Sequence, residues 1–227
     1  ISYNLDGGSV ATANPASYTV ESAAITLNNP SKPGYTFAGW TGTGLGSATD
    51  SVTIAAGSTG NRSYTATWSP NGSTAYTVKH YQKGLDGNYP IVPTLVENLS
   101  GTTGGTTAAA AKTYTGFTAK AFDQATIAAD GSTVVSIYYD RNVYEITFVI
   151  DSNKGTTTGD TSPEVVYGET PTAPGVTGKP GYEFTGWDKE IKAVTGEETY
   201  TAQFKLTDYT ISYNLDGGSV ATANPAS

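Results

Sequence analysis

The chain has 227 residues, a formal net charge of −8 and a pI near 4.5, with charged residues making up only 14% of it. That charge would repel phosphate backbones and anionic bilayers, which excludes nucleic-acid and membrane-surface binding as leading functions. Cysteine and methionine are absent, which excludes disulfide frameworks and thiolate metal sites.

Threonine, valine, 16 tyrosines and 27 glycines dominate, a balance that favours strands joined by turns: a mostly β fold, α+β at most. In chain order, Ile1, Tyr3 and Leu5 alternate with Ser2, Asn4 and Asp6, the period of a half-buried strand. Asp6-Gly7-Gly8 tolerates positive φ and ends that strand in a turn or bulge. Tyr18-Thr19-Val20 and Ala24 to Leu27 are expected to return as a second strand, and Pro30 and Pro33 bracket a rigid crossing. Tyr35-Thr36-Phe37 resumes the alternation, which Gly39-Trp40 ends, and Tyr64 to Trp68 is the last strand of this region. A different segment follows, in which Tyr76, Val78 and His80 alternate with Thr77, Lys79 and Tyr81, and Ile137 and Tyr139 with Ser136 and Tyr138. Short helices are expected only at 107–113 and 188–194.

The chain repeats itself. Residues 1–17, ISYNLDGGSVATANPAS, recur unchanged at 211–227, a period of 210 residues. Within that period SKPGYTFAGW (31–40) returns as GKPGYEFTGW (178–187), ISYNLDGG (1–8) as ITFVIDSNKG (146–155), and YTATW (64–68) as YTAQF (200–204). Three matches in one order define two related modules. From Trp40 to Trp68 is 28 residues but from Trp187 to Phe204 only 17. The surplus lies in the Gly- and Ser-rich stretch 41–63 and is expected on the surface. The domain boundaries expected are 1–69, 70–141, 142–208 and a truncated next repeat at 209–227. The joints SPNGST (69–74) and DRN (140–142) are too short to let neighbours tumble freely. Modules this small rely on their large aromatics: Tyr35, Phe37, Trp40 and Trp68 in one, Tyr182, Phe184, Trp187 and Phe204 in the other.

The order of alternating strand, D-G-G, K-P-G-Y-x-F-x-G-W and a closing Y-T-A-x-W/F resembles the Listeria–Bacteroides repeat, over residues 1–68 and 146–204. That resemblance implies small β-grasp-like modules strung as an elongated rod in surface proteins of bacteria, mostly Gram-positive, between a ligand-binding head and a wall anchor. The middle segment, with YTVKHYQ, LDGNY, TGF and VVSIYYD, resembles the mucin-binding (MucBP-like) repeats that accompany them.

Catalytic chemistry finds little support. His80 is the one histidine and sits in an alternating strand, where packing explains it. Zinc would need several His or Cys ligands. Asp86-Gly87-Asn88 and Asp151-Ser152-Asn153 lack the ligand spacing of a calcium loop and are turn residues. Lys79, Lys112 and Lys154 are nominal candidates for a Lys–Asn cross-link, and exposed aromatics for sugar stacking. No catalytic, cofactor-binding or metal residue is nominated, and no cofactor is expected. The expectation is a non-enzymatic stalk segment at the bacterial surface, extracellular, whose partners are neighbouring repeats, with a host glycan or protein as a further candidate partner. The rival is an adhesin binding host glycans or mucin through the middle module. Residues 211–227 lack the rest of a module and are expected to pair with a strand edge or to stay poorly ordered.

Overall fold

Residues 1–225 are described by a computed structural model, and among them there is no helix. The first repeat holds β1 (Ser2–Asn4), β2 (Ile25–Thr26), β3 (Tyr35–Gly42), β4 (Thr53–Ile54) and β5 (Ser63–Pro70). A central sheet follows, from β6 (Thr74–Gln82), β7 (Leu95–Gly101), β8 (Phe117–Ala119) and β9 (Val134–Arg141). The second repeat holds β10 (Val143–Val149), β11 (Gly155–Thr158), β12 (Glu164–Val166), β13 (Gly175–Gly178), β14 (Tyr182–Trp187) and β15 (Glu198–Leu206). Two compact units contain these strands. One is Ile1–Gln82, Tyr89–Lys112 and Ala119–Tyr139; the other is Lys83–Asn88, Thr113–Thr118 and Asp140–Ser227.

In the first unit β5 lies between β1, which is parallel to it, and β3, which is antiparallel. Parallel neighbours cannot be joined by a hairpin, so the chain between β1 and β5 crosses over and encloses a core. That core is Leu27, Trp40, Val52, Ile54, Tyr64 and Ala66, with Ile1, Tyr3, Leu5, Phe37 and Trp68 packed against it. The central sheet runs β7-β6-β9-β8, with β6 parallel to β9 and antiparallel to β7. Its inner face is closed by Tyr76, Val78, His80, Val135, Ile137 and Tyr139.

In the second unit the sheet runs β12-β10-β15-β14, with β10 parallel to β15. Its core is Ile146, Phe148, Val165, Val194 and Tyr200, with Trp187 lying 4.9 Å from Phe148 between ring centroids. Counting only the strands of each four-stranded sheet, the central sheet and that of the second repeat therefore share one order: second, first, fourth, third. The first repeat shows the same order without its second strand.

Several expectations change. Residues 107–113 are not helical because side chains claim their backbone: Tyr76 Oη accepts from Ala108 N (3.0 Å), and Gln124 bonds both N and O of Ala109 (2.9 and 2.8 Å). Residues 188–194 are not helical either; Asp188 N instead donates to Thr201 O. Tyr18-Thr19-Val20 forms no strand, and only Ile25–Thr26 of the expected return does. The stretch 41–63 is not all surface: Val52 and Ile54 are buried and cover the fully buried Trp40, whose indole N–H donates to Asn29 Oδ1 at 3.0 Å. Trp187 is only half-buried, as are Tyr182, Phe184 and Phe204, so Ile146, Phe148, Val165, Val194 and Tyr200 make the deeper core there.

Gly39-Trp40 does not end its strand, which runs on to Gly42 through a bulge. Gly186-Trp187 forms the matching bulge. Gly39 and Gly186 have φ of 122° and 129°, a conformation side chains resist, which is why glycine precedes tryptophan in both motifs. Residues 207–225 form no strand and are exposed, so the expected pairing with a strand edge is not made among the described residues. The last two residues of the repeated phrase lie outside the described residues.

Candidate functional site

No cavity or side-chain cluster among the described residues collects the elements of a reaction centre; the recurring geometry is at the joints between sheets. In the first unit only residues 71–73 separate β5 from β6. Asn71 occupies that joint and makes three bonds. Its N–H donates to Gly34 O (2.9 Å), its Oδ1 accepts from Thr36 Oγ1 (2.8 Å), and its carbonyl accepts from Thr103 N (2.9 Å). Two of these partners belong to the first repeat and the third to the central region. Gly34, with φ of 74°, sits against Ala129; a Cβ there would come within 2.7 Å of that residue's backbone.

The second unit repeats the device. Asn142 alone separates β9 from β10. Its N–H donates to Gly116 O (2.9 Å), its Oδ1 accepts from Thr118 Oγ1 (2.7 Å), and its carbonyl accepts from Tyr167 N (2.8 Å). Gly116, with φ of 78°, faces the Tyr167 ring, and a Cβ would lie 2.2 Å from Cγ of that ring. Arg141 adds to this joint: Nη1 donates to Tyr167 O (2.7 Å), Nε donates to Lys83 O (2.9 Å), and the guanidinium lies 5.0 Å from the centroid of Phe117.

Both joints thus use one pattern: Gly-aromatic-Thr opening the strand that neighbours the last one in its sheet (β3 beside β5, β8 beside β9), and Asn directly after the last. Each asparagine satisfies its backbone N–H and side chain on the Gly-aromatic-Thr segment and its carbonyl on a further backbone N–H. At the corresponding place after β15, Thr207 N still donates to Gly181 O (3.0 Å). Glu183 stands where Thr36 and Thr118 stand, and it pairs with Lys205 at 2.9 Å instead. Asn71 and Asn142 lie within SPNGST and DRN, the short joints read from the sequence. Sequence reasoning missed the role of Asn71 and Asn142, although Gly-Tyr-Thr at 34–36 and Gly-Phe-Thr at 116–118 were the available signal.

The other nominated residues are placed as follows. His80 is fully buried, with Nδ1 2.7 Å from Tyr139 Oη and Nε2 2.8 Å from Glu97 Oε2. The Tyr139 hydroxyl also accepts from Lys112 N at 2.8 Å, so it links the His80 ring to the segment that follows β7. Both nitrogens are occupied and neither meets solvent, an arrangement suited to holding β6, β7 and β9 together. Lys112 Nζ also bonds Glu97 Oε1 (2.7 Å), and this ammonium, followed by His80, holds the Glu97 carboxyl below the usual range.

Asp86 and Asp151 cap their own turns, accepting from Asn88 N and Asn153 N (both 3.0 Å). These backbone bonds lower both carboxyl pKa values. Lys112 and Lys154 are 41% and 45% exposed in ion pairs with Glu97 and Asp151, and Lys79 lies on the sheet face opposite His80. None of the three has the buried setting that a Lys–Asn cross-link needs. Among the described residues no His, Asp or Glu group forms a metal cluster.

One partly exposed aromatic group stands apart. Tyr81 and Tyr138 are register partners on the outer face of the central sheet, stacked at 5.0 Å, and Tyr89 meets Tyr138 edge-on at 4.8 Å. With Pro90, Ile91 and Lys120 they line an open groove of about 500 Å³.

These observations define a class: an all-β chain of small related sheets coupled by a recurring joint. The family model of the Listeria-Bacteroides repeat domain matches residues 1–61 and 144–207, more than half of the chain. The chain belongs to that family, whose repeats are typical of extracellular surface proteins. No curated protein matches it. No helix among the described residues is long and apolar enough to cross a membrane.

Proposed function

We propose that this chain is a non-enzymatic spacer segment of a bacterial cell-surface protein, built from three modules at 1–69, 70–141 and 142–208, that holds an adhesive or functional domain away from the cell. The observation that carries the reading is the asparagine joint, built twice with the same three hydrogen bonds, at Asn71 and Asn142. A catalytic scaffold has no need of identical clamps between successive sheets, whereas a stalk transmits reach only if each joint resists bending. Small-angle scattering of the whole chain tests it. An extended particle is expected, and Gly34→Ala with Gly116→Ala should shorten its maximum dimension by opening both joints. A compact particle, or one unchanged by the double variant while circular dichroism shows the sheets intact, would count against the stalk.

A second reading is favoured by one specific feature, the outward-facing Tyr81, Tyr89 and Tyr138 group. Aromatic faces beside a lysine suit sugar rings, and this group would make the central, MucBP-like module a binder of host glycans or mucin. A mucin pull-down that is lost in Tyr138→Ala supports that reading, and one that captures nothing with the parent chain removes it.

A further inference from the structure

The two joint asparagines match in their hydrogen bonds and differ in the residue that follows them. Asn71 precedes Gly72, the one Asn-Gly pair in the sequence, whereas Asn142 precedes Val143. A valine Cβ carries two branches that crowd its own amide nitrogen, and a glycine has none. Gly72 is exposed in a turn, and a Cβ there would meet nothing within 4 Å. Among the described residues its N–H reaches no acceptor.

The Asn71 amide is held by one atom only. Its Oδ1 accepts from Thr36 Oγ1 at 2.8 Å, while its Nδ2 donates to no described residue. The Thr36 bond draws electrons from Cγ and supports the charge that builds on Oδ1 when a nucleophile adds. On the other side, Thr103 N donates to the Asn71 carbonyl at 2.9 Å. That bond polarises the Asn71–Gly72 peptide group and makes the Gly72 N–H more acidic. Electrophile and nucleophile are therefore both activated within one residue pair, and the nitrogen that would leave is unencumbered.

We propose that Asn71 is a site of spontaneous covalent modification, at which Gly72 N attacks Asn71 Cγ and closes a succinimide ring. The N–Cγ bond forms as the Cγ–Nδ2 bond breaks, and the proton from Gly72 N leaves with the side-chain nitrogen as ammonia. Water then opens the ring. Attack at Cγ leaves aspartate at position 71, which keeps an oxygen for Thr36 and adds a negative charge. Attack at the α-carbonyl leaves isoaspartate, in which the main chain runs through the former side chain and is one carbon longer. Either product exchanges one ammonia for one water, without oxidation or reduction. The joint after β5 thus changes with the age of the protein, while the joint after β9 keeps its amide.

The test is prolonged incubation of the whole chain in warm, mildly alkaline buffer. Intact mass is expected to rise by about 1 Da. Peptide mapping should place that gain at Asn71, as aspartate and isoaspartate, with Asn142 unchanged. Gly72 is not in the left-handed region and has open space beside it, so Gly72→Ala should fold with an unchanged circular dichroism spectrum. It should slow the mass gain by about tenfold or more, because its Cβ hinders the attacking nitrogen. Equal rates in the parent chain and Gly72→Ala overturn the proposal. So does an intact Asn71 in the parent chain under conditions that convert a synthetic peptide of residues 69–74.

Discussion

In the first copy of ISYNLDGG the Asp6-Gly7 turn closes with Gly8 N donating to Leu5 O at 2.9 Å, and Ile1, Tyr3 and Leu5 pack against a core that includes Trp40 and Tyr64. In the second copy the same turn closes with Gly218 N on Leu215 O at 2.7 Å, yet Ile211, Tyr213 and Leu215 face solvent and no strand forms. The comparison separates what eight residues carry by themselves from what they borrow. The turn is local: an asparagine side chain, an aspartate and glycine at positive φ, and one short backbone bond. The strand is not. It exists where β5 offers a backbone to pair with and aromatic rings offer a face to cover.

Substituting equivalent positions in the two copies breaks the comparison most sharply. Tyr3→Ala removes a half-buried ring from its packing on Trp40 and Tyr64 and is expected to destabilise the first repeat by about 2–3 kcal/mol. Tyr213→Ala is expected to change stability by less than about 0.5 kcal/mol, as exposed substitutions do. Chemical denaturation of both variants checks this, and equal losses would mean that the second copy is packed somewhere. A smaller contrast is expected at the turn. Gly7→Ala forces alanine to a φ of 81° while the strand stays docked, at a cost of about 1 kcal/mol. Gly217→Ala strains an equivalent turn on which no packing depends, so the melting temperature should not move.

The same division between local and borrowed structure explains what could be read from the sequence. Period-two alternation around Ile1, Tyr76, Ile137 and Tyr64 identified strands, because side-chain alternation is a property of one strand alone. The Gly-Trp motif was legible as a recurring element, though its bulge was not, since a bulge is defined by the strand opposite. Trp40 and Trp187 look equivalent in sequence and differ in burial: Val52, Ile54 and Asn29, from segments distant in sequence, enclose Trp40, while Trp187 stays half-buried beside Phe148. Residues 107–113 carry alanines that favour a helix, and long-range bonds from Tyr76, Gln124 and Tyr139 overrule them. The joints were visible as short linkers, while the three bonds of Asn71 and Asn142 come from partners 24 to 37 positions away.

Tyr3 also gives the first copy a dependence on pH. Burial of the Tyr3 ring, and next the neighbouring Tyr64, raise the Tyr3 phenol above the ordinary 10.0. The neutral phenol also donates to Pro15 O at 3.0 Å, a bond the phenolate cannot make. A group whose pKa is higher folded than unfolded contributes stability that is complete below the unfolded value and disappears as pH rises through the folded one. The first repeat should therefore lose stability above about pH 10, where unfolded tyrosine ionises. Denaturation midpoints measured from pH 8 to pH 11.5 check this. Tyr3→Phe should lower the midpoint at pH 8, through loss of the Pro15 bond, and flatten its alkaline decline. Tyr213→Phe removes the hydroxyl of an exposed ring and should leave the midpoint at pH 8 unchanged. If both variants decline as steeply as the parent chain, the alkaline loss arises at other tyrosines and the docked strand does not sense it.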